Sequence, residues 1–337
     1  MRAIAVDFER RSTREIEHPA PRIESGGEVL FRIHQLGVCA TDRAVARFDI
    51  VEPPPGESHI VLGHEALGQV EETGAAVADF KRGDWVVPQV RRACSPPCVC
   101  CASGRRDLCV SGNYRERGIM RMHGYWTEYA VDDARDLVAI PESMLDIAVL
   151  VEPLTSVEKA IATALRLHER AAPPQTALVI GAGPIGILCA LALQLRGIEP
   201  RVFSQEDEDH PRARLLRRAG IGYSRTLGGT ADLIFEAAGA ERITEQAIRC
   251  LARLGVYAVI GVTDVPVSLR MRQLILGNQI VFGTVNASPE SFRAAVRDLE
   301  AMDRRILESM IERVAFGDFE KTLLGPTSAA PKLVHVA

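Results

Sequence analysis

The chain has 337 residues, 47% of them apolar, and 40 Lys and Arg against 44 Asp and Glu give a formal net charge of −4. One core seldom fills that length, so two domains are expected, and the mild acidity without a basic stripe offers a nucleic-acid backbone nothing to bind. No run of eighteen apolar residues occurs and MRAIAVDFERRSTREIEH lacks the apolar middle and cleavage site of a secretory signal, so a cytoplasmic protein with no membrane partner is expected.

The first 150 residues read as short strands separated by turns. EVLFRIHQLGV, HIVLGHEALGQVEETG, GDWVVPQV and YWTEYAVDD alternate apolar and polar residues, with Gly, Pro and Asp between them. From about residue 152 the period changes: SVEKAIATALRLHERAA, PIGILCALALQLRGI, PRARLLRRAGI and ERITEQAIRCLARLG carry helical apolar spacing. TALVIG, RVFS, DLIFEAAG and VYAVIGV lie between them as β runs, and QIVFGTVNAS adds one more. Strand and helix alternating at this interval imply α/β architecture, a doubly wound parallel sheet behind a β-rich first half. SFRAAVRDLEAM and a polar tail return to mixed character.

Five of the eight cysteines fall in RRACSPPCVCCASGRRDLC, residues 91–109. Cys94, Cys98, Cys101 and Cys109 follow C-x3-C-x2-C-x7-C, a set that can enclose a structural zinc with no open position and so tie down a loop that lacks its own core. Cys100 is the spare. A reducing cytosol disfavours disulfides, and the intervals match neither common ferredoxin spacing.

TALVIGAGPIGILCALALQLRG puts Gly181, Gly183 and Gly186 in G-x-G-x-x-G spacing between a β run and an apolar helix. Such glycines permit a tight turn, close backbone approach to a pyrophosphate, and packing of helix on strand. The acid that holds a ribose is expected roughly twenty residues further on. There RVFSQEDEDHPRAR places Ser204 and Gln205 instead, with Glu206 to Asp209 repelling a 2′-phosphate and Arg212 and Arg214 attracting one. The balance points to NAD, with NADP as the alternative.

A catalytic zinc keeps a ligand position open, commonly with three protein ligands. LGVCATD supplies Cys39, GHE supplies His64 and Glu65, and VEPLTSVEK supplies Glu152. In this order, followed by the G-x-G-x-x-G unit, these motifs resemble the zinc-dependent medium-chain alcohol and polyol dehydrogenases over nearly the whole chain. GNYRERGIMRMHGYWTEYAV, EPLTSVEKA and GTVNAS resemble more narrowly the glucose dehydrogenase branch of archaea and some bacteria.

The resemblance implies a GroES-like catalytic domain over 1–152 carrying the cysteine loop 94–109, a Rossmann NAD(P)-binding domain over 153–287, and a return to the catalytic domain over 288–337, with the active site in the cleft between domains. It implies a catalytic zinc on Cys39 and His64 with Glu65 or Glu152. Thr41 would start the proton relay, and Asp42 would support the zinc shell. Many alcohol dehydrogenases end that relay with a histidine five residues past the cysteine, where this chain has Ala44. Beyond the glycines, cofactor contacts are expected at Pro184, Ile185, Ser204, Gln205, Ala238, Gly239, Val262 and Asn286.

Substrate contacts are expected at Thr41, Glu116, Glu152, Ser156 and Asn286, whereas Val90, Ser156 and Leu276 stand where some members carry Asn, Asp and His. Each lost polar partner costs about 1–3 kcal/mol when a sugar hydroxyl is buried against it. A glucose-type sugar, an amino sugar, a glycoside or a cyclitol therefore all fit. Relatives are homodimers or homotetramers, and QIVFGTVNAS is a candidate edge strand for pairing between subunits. Two other readings compete: a zinc-free quinone or enoyl reductase of the same superfamily, against which the Cys39, His64 and Glu152 set counts, and a zinc-ribbon interaction module on a cofactor-sensing protein.

Overall fold

The structure, a computed structural model, describes residues 1–168, 172–263, 265–325 and 328–336. The chain divides into two compact units. The first holds Met1–Glu152, Ile311–Ser328 and Lys332–Ala337, and the second holds Pro153–Met310 and Ala329–Pro331.

The first unit is built on a seven-stranded sheet. Glu28–Val38 lies at its centre, antiparallel to Glu65–Thr73 on one side and to Lys332–Val336 on the other, and it also pairs with Tyr129–Asp133. Alternation along this strand sends Val29, Phe31 and Ile33 into a core completed by Ile4, Ile60, Leu62 and Trp126. The stretch HIVLGHEALGQVEETG forms two strands, His59–Val61 and Glu65–Thr73, separated by a turn at Leu62–His64. One short helix, Ala40–Ala46, was not expected in this β-rich half.

The second unit carries a six-stranded parallel sheet in the order Gly222–Ser224, Glu199–Phe203, Thr176–Ile180, Ala231–Glu236, Leu251–Val259, Ile280–Gly283. The chain thus winds outward twice from Thr176–Ile180, as a doubly wound fold does. Four of that strand's five residues are buried in succession, the pattern of a strand covered on both faces. Helices Val151–Leu167, Pro184–Leu195 and Pro211–Arg218 follow the expected helical patterns, although residues 169–171 of the first pattern lie outside the described residues.

Two expectations differ from what is seen. The helical pattern of ERITEQAIRCLARLG runs only through Glu241–Ala247 and a 3-10 turn to Cys250, and Leu251 already belongs to a strand. Leu251 pairs with Ala231 while Val256 pairs with Leu233, so the residues between form an irregularity in which Leu254 takes φ 66 before Gly255. The chain also rejoins the first unit at Ile311 and not at 288. Helix Pro289–Ala301 stays with the second unit, where Phe292, Ala295 and Leu299 are buried and Asp298 pairs with Arg196 at 2.6 Å. Among the described residues no helix is long and apolar enough to cross a membrane.

Candidate functional site

Antiparallel register assembles the first cluster. Gly37 lies opposite Glu65, and Val38 lies opposite Leu333, so Cys39, His64 and Lys332 emerge together where these three strands end. Cys39 is also the N-cap of Ala40–Ala46: its Sγ accepts from the Thr41 N–H at 3.2 Å while its own N–H donates to Asp42 Oδ2 at 2.9 Å. His64 Nε2 lies 3.2 Å from Cys39 Sγ, and His64 Nδ1 lies 3.3 Å from Asp42 Oδ1. An imidazole gripped by a carboxylate on one nitrogen and aimed at a thiol with the other is arranged as metal-binding histidines are.

Cys39, His64 and Glu65 bring their donor atoms within 4.8 Å of one another. Behind them Lys332 Nζ forms a buried ion pair with Glu65 Oε2, and a side chain at position 37 would run into both partners. The glycine of LGVCATD is what lets this pair pass beneath the central strand.

The electrostatics suit a cation. Burial and the Asp42 charge push the Cys39 thiol up. Burial opposes the His64 imidazolium, yet Asp42 and Cys39 hold it well above the usual range. Burial also pushes Glu152, half-buried in the first turn of Val151–Leu167, up to about 7, with Glu65 adding and His64 opposing. A thiol, an imidazole and carboxylates crowded in this way fit a divalent ion of zinc type.

The second cluster is Cys94, Cys98, Cys101 and Cys109, whose sulfurs all lie within 4.8 Å of one another, with Cys100 outside the group. The Cys98 N–H donates to Cys94 Sγ at 3.1 Å. Backbone donation near Cys101 draws the Cys98 thiol down to about 6, whereas burial pushes Cys101 up to about 12. Four sulfurs at this spacing fit a closed zinc site. Around the loop Arg106 pairs with Asp136, Arg92 Nε with Asp136 Oδ2 at 2.8 Å, and Arg92 and Arg117 each donate to Asp132 Oδ1 at 2.6 Å.

A third group, His18, His59 and His123, also brings ring nitrogens within 4.8 Å of one another, but His123 is engaged on both of its nitrogens. The Val61 N–H donates to His123 Nδ1 at 3.1 Å, so the neutral ring carries its proton on Nε2 and gives it to Glu57 Oε2 at 2.9 Å. That nitrogen has no lone pair left for a metal.

The expected nucleotide residues gather at the carboxyl ends of the parallel strands, where doubly wound sheets take ligands. Gly181 sits at φ 103, beside Ala238, and a side chain at Gly186 would strike the Gly181 carbonyl. Gly183 caps Pro184–Leu195 and a Cβ there would meet nothing within 4 Å, which leaves open backbone for a phosphate at the helix N-terminus, with Pro184 and Ile185 in its first turn. Gly239, at φ 64, packs against the Val262 backbone. Ser204 follows strand Glu199–Phe203 and hydrogen-bonds Glu206, with Gln205 exposed between them. Glu206 in turn meets Arg212 at 3.3 Å. Asn286 takes φ 61, and its Oδ1 accepts from the Ala287 N–H at 2.8 Å.

Of the remaining expected residues, Thr41 and Ser156 are half-buried, and Glu116 is buried against Arg91 in a small separate sheet. Sequence reasoning missed Arg91 and Lys332. Lys332 has one visible signal, being one of four lysines in a chain whose other basic residues are arginines, and that signal does not say what it meets.

Two family models match the chain, "Alcohol dehydrogenase GroES-like domain" over residues 25–142 and "Glucose dehydrogenase C-terminus" over residues 145–323. A glucose 1-dehydrogenase of Methanocella arvoryzae is 36% identical, covering 96% of this chain and 95% of the relative, and one of Thermoproteus tenax is 35% identical over 89% and 88%. Among solved structures, Haloferax mediterranei glucose dehydrogenase in complex with NADP, Zn and gluconolactone superposes with a TM-score of 0.91 at 30% identity, covering 100% of this chain and 99% of that one. The 2R,3R-butanediol dehydrogenase of Bacillus subtilis, at 20% identity and a TM-score of 0.85, shares the fold.

Proposed function

The chain belongs to the zinc-type medium-chain dehydrogenase/reductase superfamily, in its glucose-dehydrogenase-like branch, and on that premise we propose that it oxidises a hydroxyl of a glucose-type sugar or related polyol with NAD(P)+. The observation that carries the reading is the Cys39, His64 and Asp42 constellation, in which the 3.2 Å approach of imidazole to thiol is fixed from behind by a carboxylate. A zinc-free reductase has no use for such a donor set, and a zinc-ribbon module has no use for the glycine turn at Gly181.

Cys39, His64 and a carboxylate, Glu65 or Glu152, would hold the catalytic ion, and Cys94, Cys98, Cys101 and Cys109 a structural one. Bound zinc supplies the Lewis acidity that lowers the pKa of a substrate hydroxyl, and the nicotinamide supplies the hydride acceptor. Asp42 keeps His64 oriented and fixes the Cys39 backbone. The Thr41 hydroxyl receives the substrate proton and passes it to solvent without a histidine at position 44. Glu116, Glu152, Ser156 and Asn286 hold substrate hydroxyls. Gly181, Gly183 and Gly186 admit the pyrophosphate, and the Glu206 contacts with Ser204 and Arg212 favour NAD, since they occupy the cation that a 2′-phosphate needs.

The edge position of Ile280–Gly283 supports a homodimer or homotetramer, and eight free cysteines suit a reducing cytoplasm. The test is a screen of D-glucose, amino sugars, glycosides and cyclitols against both cofactors, with zinc counted per chain. NAD-dependent oxidation with two zincs per chain is expected; a turnover-competent protein without zinc would refute the mechanism.

A further inference from the structure

Arg91 and Glu116 face each other across an antiparallel pair formed by Arg91–Arg92 and Arg115–Arg117, strands of two and three residues, and the Glu116 backbone is held by the Met120 carbonyl at 2.8 Å, which leaves the direction of its carboxylate to side-chain contacts. The Arg91 Nε donates to Glu116 Oε1 at 2.9 Å, and its Nη1 donates to the Asp107 carbonyl at 3.2 Å. Its guanidinium lies over the Tyr114 ring, 3.7 Å from the centroid. Both charged side chains are almost wholly buried, at 5% and 9% exposure. Asp107 stands two residues before Cys109 and is itself gripped by Arg105 through a forked pair at 2.9 and 2.8 Å. One rigid plane of donors therefore touches the cysteine loop on one side and the Glu116 carboxylate on the other. A lysine, with a single ammonium, does not reproduce both contacts and the stacking.

We infer that Arg91 is a positioning residue, through which the order of the four-cysteine loop sets the Glu116 carboxylate for substrate hydroxyls; this rests on the proposed reading of Glu116. The loop metal, far from being only a clamp on stability, then contributes to sugar affinity. A buried ion pair alone says little about role, because removing one partner destabilises a protein whether or not the pair serves a site. The inference is tested through the sugar KM.

The assay uses the whole enzyme with D-glucose and NAD+, comparing the parent with R91M, R91K, E116Q and R91M/E116Q, with thermal melts and zinc per chain for each. R91M is expected to raise the D-glucose KM on the order of tenfold, the loss of one oriented hydrogen-bonding group. Its kcat should fall less, and its KM for NAD+ should stay at the parent value. R91K should fall between R91M and the parent, and R91M should add nothing to KM in the E116Q background. Cys101→Ser should raise the D-glucose KM in the parent and not in R91M.

An equal R91M effect with and without Glu116 overturns the inference and leaves the role of Glu116 standing. A parent-like KM in E116Q, or a parent inactive on every sugar and polyol of the screen, removes that role and the inference with it; if the screen finds another substrate than D-glucose, the same cycle is read on that substrate. If R91M does not fold, R91K carries the same cycle.

Discussion

The two cysteine-bearing clusters of the first unit set the same sulfur in different surroundings. The one at Cys39 draws its groups from positions 39, 42, 64, 65 and 332 and stands on strands of the main sheet, with Asp42, His64, Glu65 and Lys332 all buried. The one at Cys94–Cys109 draws four identical donors from sixteen residues of chain whose regular structure is one turn of helix, Val99–Ala102, and one 3-10 turn, Arg106–Leu108, with Val99 76% exposed beside it. A mixed, buried set on a stiff frame can hold an ion while leaving room for substrate. A uniform set on a loop makes the ion part of the fold. Turnover should therefore be lost at the first without unfolding, and stability at the second with kcat nearly kept and the cost to the reaction confined to sugar KM.

The sharpest way to break that contrast is at His64. His64→Ala should lower turnover by at least about a thousandfold, the scale of several kcal/mol of lost Lewis-acid stabilisation, while nucleotide binding followed by cofactor fluorescence persists. Retained turnover would put both clusters in the structural class. Cys101→Ser should instead lower the melting temperature by roughly 10 °C and release one zinc, with kcat per folded molecule nearly kept. A larger loss of kcat than of stability would reverse the assignment.

The buried charges that fasten the loop to the core make a third test. Burial alone would raise the Asp132 carboxyl, but Arg117 and Arg92 outweigh it and hold the group below its ordinary value of 3.8. A carboxyl depressed by folding contributes stability that is complete above the unfolded value and is lost as pH falls through the folded one. Urea unfolding should therefore show a decline below about pH 4 that Asp132→Asn lacks, and that variant should lose about 3 kcal/mol near neutral pH because the buried Arg117 loses its carboxylate and Arg92 keeps only Asp136. The smallest effect lies outside both clusters and serves as a control: Glu206→Ala should leave zinc content and stability intact and shift the KM ratio toward NADP+ a few-fold, by releasing Arg212. A changed metal content there would show that the two units are not independent readouts.

Local signals made much of this legible. The glycine turn was readable because Gly181, Gly183 and Gly186 fall in one spacing within six residues between a strand and a helix, and the cysteine loop because its four cysteines lie close together in the chain. Cys39 and His64 were readable only through a family pattern, since nothing in LGVCATD or GHE says that they meet; the register that joins them is a property of the sheet. Helix Ala40–Ala46 escaped because seven residues give no usable period, and its start is set by a cysteine where Ser, Thr, Asp or Asn usually stands. Lys332 escaped because its partner Glu65 is 267 positions away, and Arg91 because a buried arginine in a run of charged residues looks like a solvated one. The extension of the apolar pattern past Cys250 misled for the opposite reason: spacing that suits a helix continued into residues that the adjoining strand claimed.

The double bonding of Cys39 has a practical corollary. Its sulfur both faces His64 and receives the amide that begins Ala40–Ala46, so alanine there would confound two losses in one phenotype. Serine, an oxygen for a sulfur, keeps an acceptor for the Thr41 amide and withdraws the soft donor alone. That one-atom edit isolates metal preference from backbone architecture, and it makes position 39 the natural place to ask whether this scaffold can be retuned toward harder ions.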